Sequence, residues 1–432
     1  MIQKILDLHI HSKYSRACSK SLELPTIAET CAIRGIDVVS TGDFTHPKWF
    51  EHLNENLVED TEGLYRLKTP SSSPLAGGGN STRFIIGTEV ASIKKHKDKT
   101  RRVHHLLFAP NLEVAGKLNS YLTNKNFNLR SDGRPILGLT SKEILQIMLE
   151  IDERMIMIPA HAWTPWFGIF GSKGGYNSLE EAYGELAPRI QAIETGLSSD
   201  PLMNWRVSQF DRLTLISNSD AHSPQKLGRE ANVFEFADEK EITYGGIMRA
   251  IEKGDRDKFK FTIEFYPEEG KYHFDGHASC KFSCTPEETK KYGGLCPKCK
   301  KPLIIGVMNR VDELADRTES EAKQQQRIPY RSLVPLTEII ADTLGVGVSS
   351  KAVKKEYDSL IQKLGSEFHI LLNTSLEEIQ KASTINLSEA ISRVRKGTIY
   401  IQPGYDGIFG VVKVFPTSEE RLQAKQLGFA LD

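Results

Sequence analysis

Lys4-Ile-Leu-Asp-Leu-His-Ile-His11 is the stretch from which the rest of the chain can be read. Ile5, Leu6, Leu8 and Ile10 have the makings of a buried strand, and His9 and His11 lie two residues apart. Side chains alternate across a strand, so a pair at i and i+2 sends both imidazoles to one face. That is how a strand presents two metal ligands. The device returns downstream, where apolar Leu213 to Ile216 runs into Ser217-Asn-Ser-Asp220-Ala-His222. A single histidine pair is as readily two satisfied core side chains. Two ligand pairs at two strand ends argue instead for one shared metal site.

Working outward, Leu24 to Arg34 reads as a helix with Pro25 in its first turn and Gly35 closing it, followed by strand Ile36 to Ser40. This βαβ start delivers Thr41-Gly-Asp43-Phe-Thr-His46 just past a strand. A Pro, Ser and Gly-rich loop is expected over Thr69 to Thr82, and the strand from Arg83 then ends in Glu89, a carboxylate able to bridge two metals. Further strands carry His104 and His105, end in His161, and end in Glu194. Strands are thus expected to end near residues 9, 40, 89, 108, 160, 194 and 218, and nearly every one has a candidate ligand beside it. Barrel enzymes keep their chemistry at such C-terminal strand ends. Lys94 to Arg102 is strongly basic and reads either as a hairpin facing a polyanion or as a solvated turn.

Between His161 and Glu194 lies a glycine-rich loop with Trp163, Trp166, Phe167, Phe170 and Tyr176. Rings at the rim of a metal site can stack on a nucleobase or wedge a duplex, and Trp163, Trp166, Phe167 and Tyr176 are the candidates for contact with substrate. The competing reading is a small core covering the site.

The 432 residues allow two to three domains, and 56 basic against 56 acidic residues give no overall field for a polyanion. Any nucleic-acid contact must come from local patches. Four of the six cysteines fall within Cys280 to Cys299, as Cys280-x-x-x-Cys284 and Cys296-Pro-Lys-Cys299, which is the spacing of a structural zinc knuckle. His277 competes with Cys284 for the fourth position. With no leader-like start and no apolar run of about 18 residues, a cytoplasmic protein off the membrane is expected. From Arg310 the composition becomes helical, and the resulting division is residues 1–266 around the metal site, a zinc-binding module at 267–309 and a helical part at 310–432.

Asp7-Leu-His-Ile-His11 and Ser219-Asp-Ala-His222 resemble the two signatures of the polymerase and histidinol phosphatase (PHP) family. The resemblance covers roughly residues 1 to 265 and implies an α/β fold, a distorted, TIM-like βα barrel holding two or three divalent ions that hydrolyse phosphate esters. It implies His9, His11, Glu89, His161, Asp220 and His222 as ligands, with His104 preferred to His105. Two departures stand out. Thr41-Gly-Asp43-Phe-Thr-His46 replaces the usual Thr-Asp-His, so Asp43 takes the histidine's place with His46 beside it. Ser15-Arg-Ala-Cys18 stands where many relatives carry another ligand. His46, His105 and Glu194 stay open as ligands.

Tyr272-His-Phe-Asp-Gly-His277-x-x-Cys280, Cys296-Pro-x-Cys299, Asn309 to Arg317 and Pro403-Gly-Tyr-Asp-Gly-Ile-Phe-Gly410 extend the resemblance over the whole chain, to the endonuclease Q family. That similarity implies a DNA repair endonuclease nicking 5′ of deaminated bases (uracil, hypoxanthine, xanthine) and abasic sites. His9, His11 and Asp220 would then be catalytic, and the partner would be damaged DNA. Zinc, manganese, iron and magnesium are all open at the centre, with one structural zinc besides. No replication-clamp or helicase partner can be read from the residues. The rivals are a phosphatase for a small monoester such as histidinol phosphate, and a noncatalytic DNA-binding module.

Overall fold

The computed structural model describes residues 1–69, 82–97, 99–383, 385–417 and 419–420. Strand Ile2–Asp7 leads into helix Leu24–Arg34 and strand Val38–Ser40. The helix has Pro25 in its first turn, buries Leu24, Ile27, Ala28 and Cys31, and stops at Gly35, whose φ of 85° suits a residue without a Cβ. The expected βαβ start is therefore present.

Strand Ile2–Asp7 pairs in parallel with Val38–Ser40 and antiparallel with Ala231–Phe236. These belong to a mixed sheet whose order is Tyr330–Ser332, Phe259–Glu264, Ala231–Phe236, Ile2–Asp7, Val38–Ser40, Arg83–Ile85, Leu64–Leu67, Leu57–Thr61. A second sheet joins Ile136–Leu137, Gly87–His96, Lys99–Phe108 and Ile156–Pro159, and a third pairs Ala192–Glu194 in parallel with Thr214–Ile216. The fold is mixed α/β.

The strands expected to close one barrel are instead shared among three sheets, and no single closed ladder forms among the described residues. The cause is strand length: several strands stop after three or four residues, and hydrogen bonds from residues past their ends bridge the seams. Thr41 Oγ1 donates to the Gly87 carbonyl at 3.1 Å, Ala162 N to the Glu194 carbonyl at 2.9 Å, and His11 N to the Ala221 carbonyl at 3.1 Å. At each seam the chain leaves its strand carrying site residues.

The basic run forms a hairpin, with Gly87–His96 antiparallel to Lys99–Phe108. Lys94 is paired with Glu143 and Arg101 with Glu181, so part of its charge is spent within the protein. Residues 70–81 of the expected Thr69 to Thr82 loop lie outside the described residues. The helical part contains Val307–Leu314, Leu336–Leu344, Lys351–Leu364, Glu367–Leu372, Leu376–Ala382 and Leu387–Lys396. It adds Tyr330–Ser332 to the edge of the large sheet and places Glu367 3.4 Å from Arg34. Among the described residues no helix is long and apolar enough to cross a membrane.

Candidate metal centre

His9 and His11 are buried just past strand Ile2–Asp7. Each has one ring nitrogen held by a carboxylate. His9 Nδ1 lies 3.0 Å from Glu194 Oε1, and His11 Nδ1 lies 3.0 Å from Asp43 Oδ1. With Nδ1–H donating, Nε2 of each ring is left as the basic atom, and His9 Nε2 is buried without a hydrogen-bond partner. That orphaned nitrogen fits a metal ligand, and the carboxylate–histidine pairing is how proteins fix such a ligand's tautomer.

Glu89 spans the centre. Its Oε1 lies 2.8 Å from His104 Nδ1 and 3.0 Å from His161 Nε2, while Oε2 lies 3.4 Å from His11 Nε2. Asp220 Oδ1 stands 3.1 Å from His11 Nε2 and 3.5 Å from His9 Nε2. Three overlapping groups result, each with ligand atoms within 4.8 Å of one another: His9, His11 and Glu89; His11, Asp220 and His222; Glu89, His104 and His161. The sequence pairs two residues apart do converge, although both lie just past their strands and Asp220 has left the extended backbone.

Other candidates are placed otherwise. Asp43 also accepts from Ser12 N and Ser12 Oγ at 2.7 Å each, so its oxygens orient His11 and it is absent from the three groups. Glu194 likewise serves His9, Asn218 Nδ2 and His161 N. His105 points to the opposite face of its strand from His104, where its nitrogens meet Ser141 Oγ at 3.0 Å and Tyr183 OH at 3.3 Å. His46 precedes helix Pro47–Asn56 and stacks on Tyr14.

Asp43, His161 and Asp220 all adopt positive φ, at 48°, 29° and 46°. Non-glycine residues held there are strained, and such strain gathers at functional sites. Gly196 permits the approach: a Cβ on it would stand 2.3 Å from His161 Cα.

Burial works against ionisation of Glu89, but the charge of Arg134 and hydrogen bonds from His104 and His161 outweigh it and hold the carboxyl well below its ordinary range. Burial likewise opposes charge on His11, yet Asp43 and Asp220 raise its pKa to about 9. A metal taking Nε2 must displace that proton, so binding weakens as pH falls. Burial takes His104 down to about 4, leaving it neutral and free to ligate.

Arg134, 3.0 Å from Glu89 Oε2, was not legible in the sequence, because it sits in an irregular loop without periodicity. It lines a cavity of about 450 Å³ with Arg16, His161, Trp166, Phe167 and Asp220. Two guanidinium groups at the mouth of a metal centre suit a phosphate-bearing substrate.

Residues 335–398 match the family model of the MJ0043 C-terminal domain. The chain is 34% identical over 264 residues to the uncharacterized protein MJ0043 of Methanocaldococcus jannaschii, a match that takes in 60% of this chain and 32% of that protein; the chain thus spans about a third of that relative's length. It is 28% identical to the uncharacterized protein YqxK of Bacillus subtilis over 94% of this chain and 98% of that one. Among solved structures, the lesion-specific endonuclease PfuEndoQ of Pyrococcus furiosus superposes with a TM-score of 0.82 at 33% identity, over 98% of this chain and 99% of that one. An endonuclease Q bound to a 27-mer duplex with an abasic lesion at its active site gives 0.81 at 35% identity, with the same coverage. The chain belongs to the endonuclease Q family.

In this endonuclease Q family member the aromatic loop is split between core and mouth. Trp163 is fully buried, donates from Nε1 to Asn204 Oδ1 at 2.7 Å and packs on Phe170 and Phe210. Tyr176 is buried under Arg101 with its hydroxyl 3.1 Å from His96 Nδ1. Neither can reach a base, which corrects the expectation for both. Trp166 is 54% exposed at the cavity, and Phe167 lies beside it with its ring 4.3 Å from that of His104.

Within residues 267–309, expected to bind zinc, His277, Cys280, Cys296 and Cys299 come together. Cys284, expected as the fourth cysteine ligand, is outside this group, because its buried Sγ is turned to Thr289 Oγ1 at 3.2 Å. Soft thiolates with one imidazole fit a four-coordinate structural zinc.

Proposed function

We propose that this chain is a metal-dependent endonuclease that hydrolyses the phosphodiester 5′ of a deaminated base or an abasic site in DNA. The observation that carries this reading is Glu89 joining two histidine groups beneath a mouth that presents Arg16, Arg134 and Trp166. Two or three divalent ions held by His9, His11, Glu89, His104, His161, Asp220 and His222 would supply an activated water and neutralise charge on the phosphate. Zinc, manganese or iron suits this histidine-rich shell better than magnesium, which prefers oxygen donors.

The protein's own residues do the rest. Asp43 and Glu194 fix the ligand tautomers, the two arginines hold the backbone phosphate, and Trp166 stacks on the extruded nucleotide or fills its gap. Extrusion costs least where pairing is already lost, which contributes selectivity. His277, Cys280, Cys296 and Cys299 hold one structural zinc. Residues 1–266 act as a distorted barrel opened into three sheets, with Tyr330–Ser332 added at one edge, and are followed by the zinc-binding module at 267–309 and the helical part at 310–432, which contacts the duplex.

A phosphatase for a small monoester would need neither the module nor an exposed aromatic at the mouth. Incubation with divalent metal and an end-labelled duplex carrying one uracil tests the reading. A single nick 5′ of the uracil is expected, with none in the undamaged duplex. Hydrolysis of a small phosphomonoester with no nick in either duplex would overturn it.

A further inference from the structure

Arg310 opens a connection that the ligand set leaves unused. It lies on helix Val307–Leu314, next to the zinc-binding module, and is 7% exposed. Its guanidinium reaches into the aromatic loop: Nε donates to the Phe170 carbonyl at 3.0 Å, and Nη2 to the Tyr176 carbonyl at 3.1 Å and to Asn177 Oδ1 at 2.6 Å. A rigid planar fork is suited to hold several acceptors at once, which a lysine ammonium on a flexible stem is not.

The loop it grips is the one that carries Trp166. Phe170 N bonds the Ala162 carbonyl, and Gly168 N the Thr164 carbonyl, so the mouth segment is folded back on the part that Arg310 holds. The Phe167 carbonyl in turn accepts from His104 N at 2.9 Å, and Thr164 Oγ1 stands 2.6 Å from His161 Nδ1, which ties the same segment to two candidate ligands.

On its other side the helix is tied to the zinc-binding module through Asp275, which is fully buried two residues before His277. Asp275 accepts from Gly306 N at 2.6 Å, from Asn309 Nδ2 at 2.5 Å and from Thr289 Oγ1 at 2.5 Å. Helix Val307–Leu314 therefore spans the gap between the strand that carries His277, held through Asp275, and the loop at the cavity mouth, held through Arg310.

We infer that Arg310 is a positioning residue for lesion recognition: it fixes the aromatic loop to the zinc-binding module and so sets where Trp166 stands over the metal centre. The inference rests on the proposed function for its substrate. Arg310 touches neither the metal groups nor the cavity, so its effect should fall on duplex opening and not on the hydrolytic step.

Arg310→Lys and Arg310→Gln, prepared as the full chain, provide the test, read by metal content, by hydrogen exchange of residues 162–177, and by nicking of uracil in duplex and in single strand. Misplacement by about an ångström can cost about a hundredfold. The expected result is unchanged metal content, faster exchange confined to the loop, and a loss of about tenfold or more in kcat/KM on duplex uracil, with single-stranded uracil changed less than about threefold. Equal losses on both substrates, or loop exchange identical to the parent's, would overturn the inference. Should the glutamine variant not fold, the lysine variant decides alone. A parent protein that nicks neither substrate sinks the functional reading instead, while loop exchange still decides whether Arg310 holds the loop.

Discussion

Asp220 sets its carboxylate within 3.5 Å of both His9 Nε2 and His11 Nε2, and those imidazoles, against the pull of burial, hold it ionised far below the ordinary range. Asp220→Asn keeps the shape and removes the charge. Nicking should fall by orders of magnitude while affinity for lesion duplex stays close to the parent's, as gel-shift titration would read; near-normal nicking would mean that Asp220 is no ligand. Glu194→Gln acts one bond further out. Its amide carries no charge and can offer a donor as well as an acceptor, so it fixes the Nδ1–H tautomer of His9 less firmly, and metal affinity should drop about 10- to 100-fold by chelator competition with the fold retained. The ligand pairs were legible because each directly follows an apolar strand, although the residues themselves lie past the strand ends. Asp43 and Glu194 were legible as carboxylates beside the site but not by role, since sequence cannot tell a metal ligand from the group that orients one. Arg16 and Arg134 gave no periodic signal and emerge only when loops converge.

At the scale of elements, one aromatic loop contains two kinds of tryptophan. Trp163 is sealed among Phe170, Phe210 and Asn204, so Trp163→Ala should cost about 3–5 kcal/mol of stability and depress activity on every substrate. Trp166→Ala should leave the melting temperature nearly unchanged and forfeit roughly 1–3 kcal/mol on paired lesions, where stacking helps opening. Equal losses for Trp166→Ala on duplex and single strand would refute the stacking role. Composition alone could not sort these rings, because burial depends on which partners the loop meets. Residues 267–309 pose the same problem with sulfur. Both His277-x-x-Cys280 and Cys280-x-x-x-Cys284 have ligand spacing, and only the short strand carrying Cys284, which turns its thiol toward Thr289, separates them. Cys296→Ala should lose the zinc and unfold or aggregate the module, whereas Cys284→Ala should keep one zinc by elemental analysis.

At the scale of the molecule, a set of buried carboxyls lies behind the metal centre. Glu264 is fully buried and accepts from Ser217 Oγ at 2.5 Å and from Thr262 Oγ1; burial pushes its pKa up from 4.5 to about 8. A carboxyl raised in the folded state favours folding fully below about pH 4.5, and that contribution is lost as pH climbs through about 8. Melting temperature should therefore fall from pH 5 to 9 more steeply for the parent than for Glu264→Gln, which cannot ionise; parallel curves would show that Glu264 titrates normally. The alternation of strands and ligands made the mixed α/β architecture readable, but not the partition into three sheets. That partition depends on strands of three or four residues whose ends sequence patterns do not resolve. Every role proposed for the centre depends on Glu89 assembling the ions that cut lesion DNA. The most direct test of that dependence is metal content and nicking of an abasic-site duplex measured on the same preparations of the parent and Glu89→Gln. Two or three divalent ions plus one zinc and a defined nick are expected for the parent, and one zinc with no nick for the variant. A variant that keeps every ion, or nicks at the parent's rate, would contradict it.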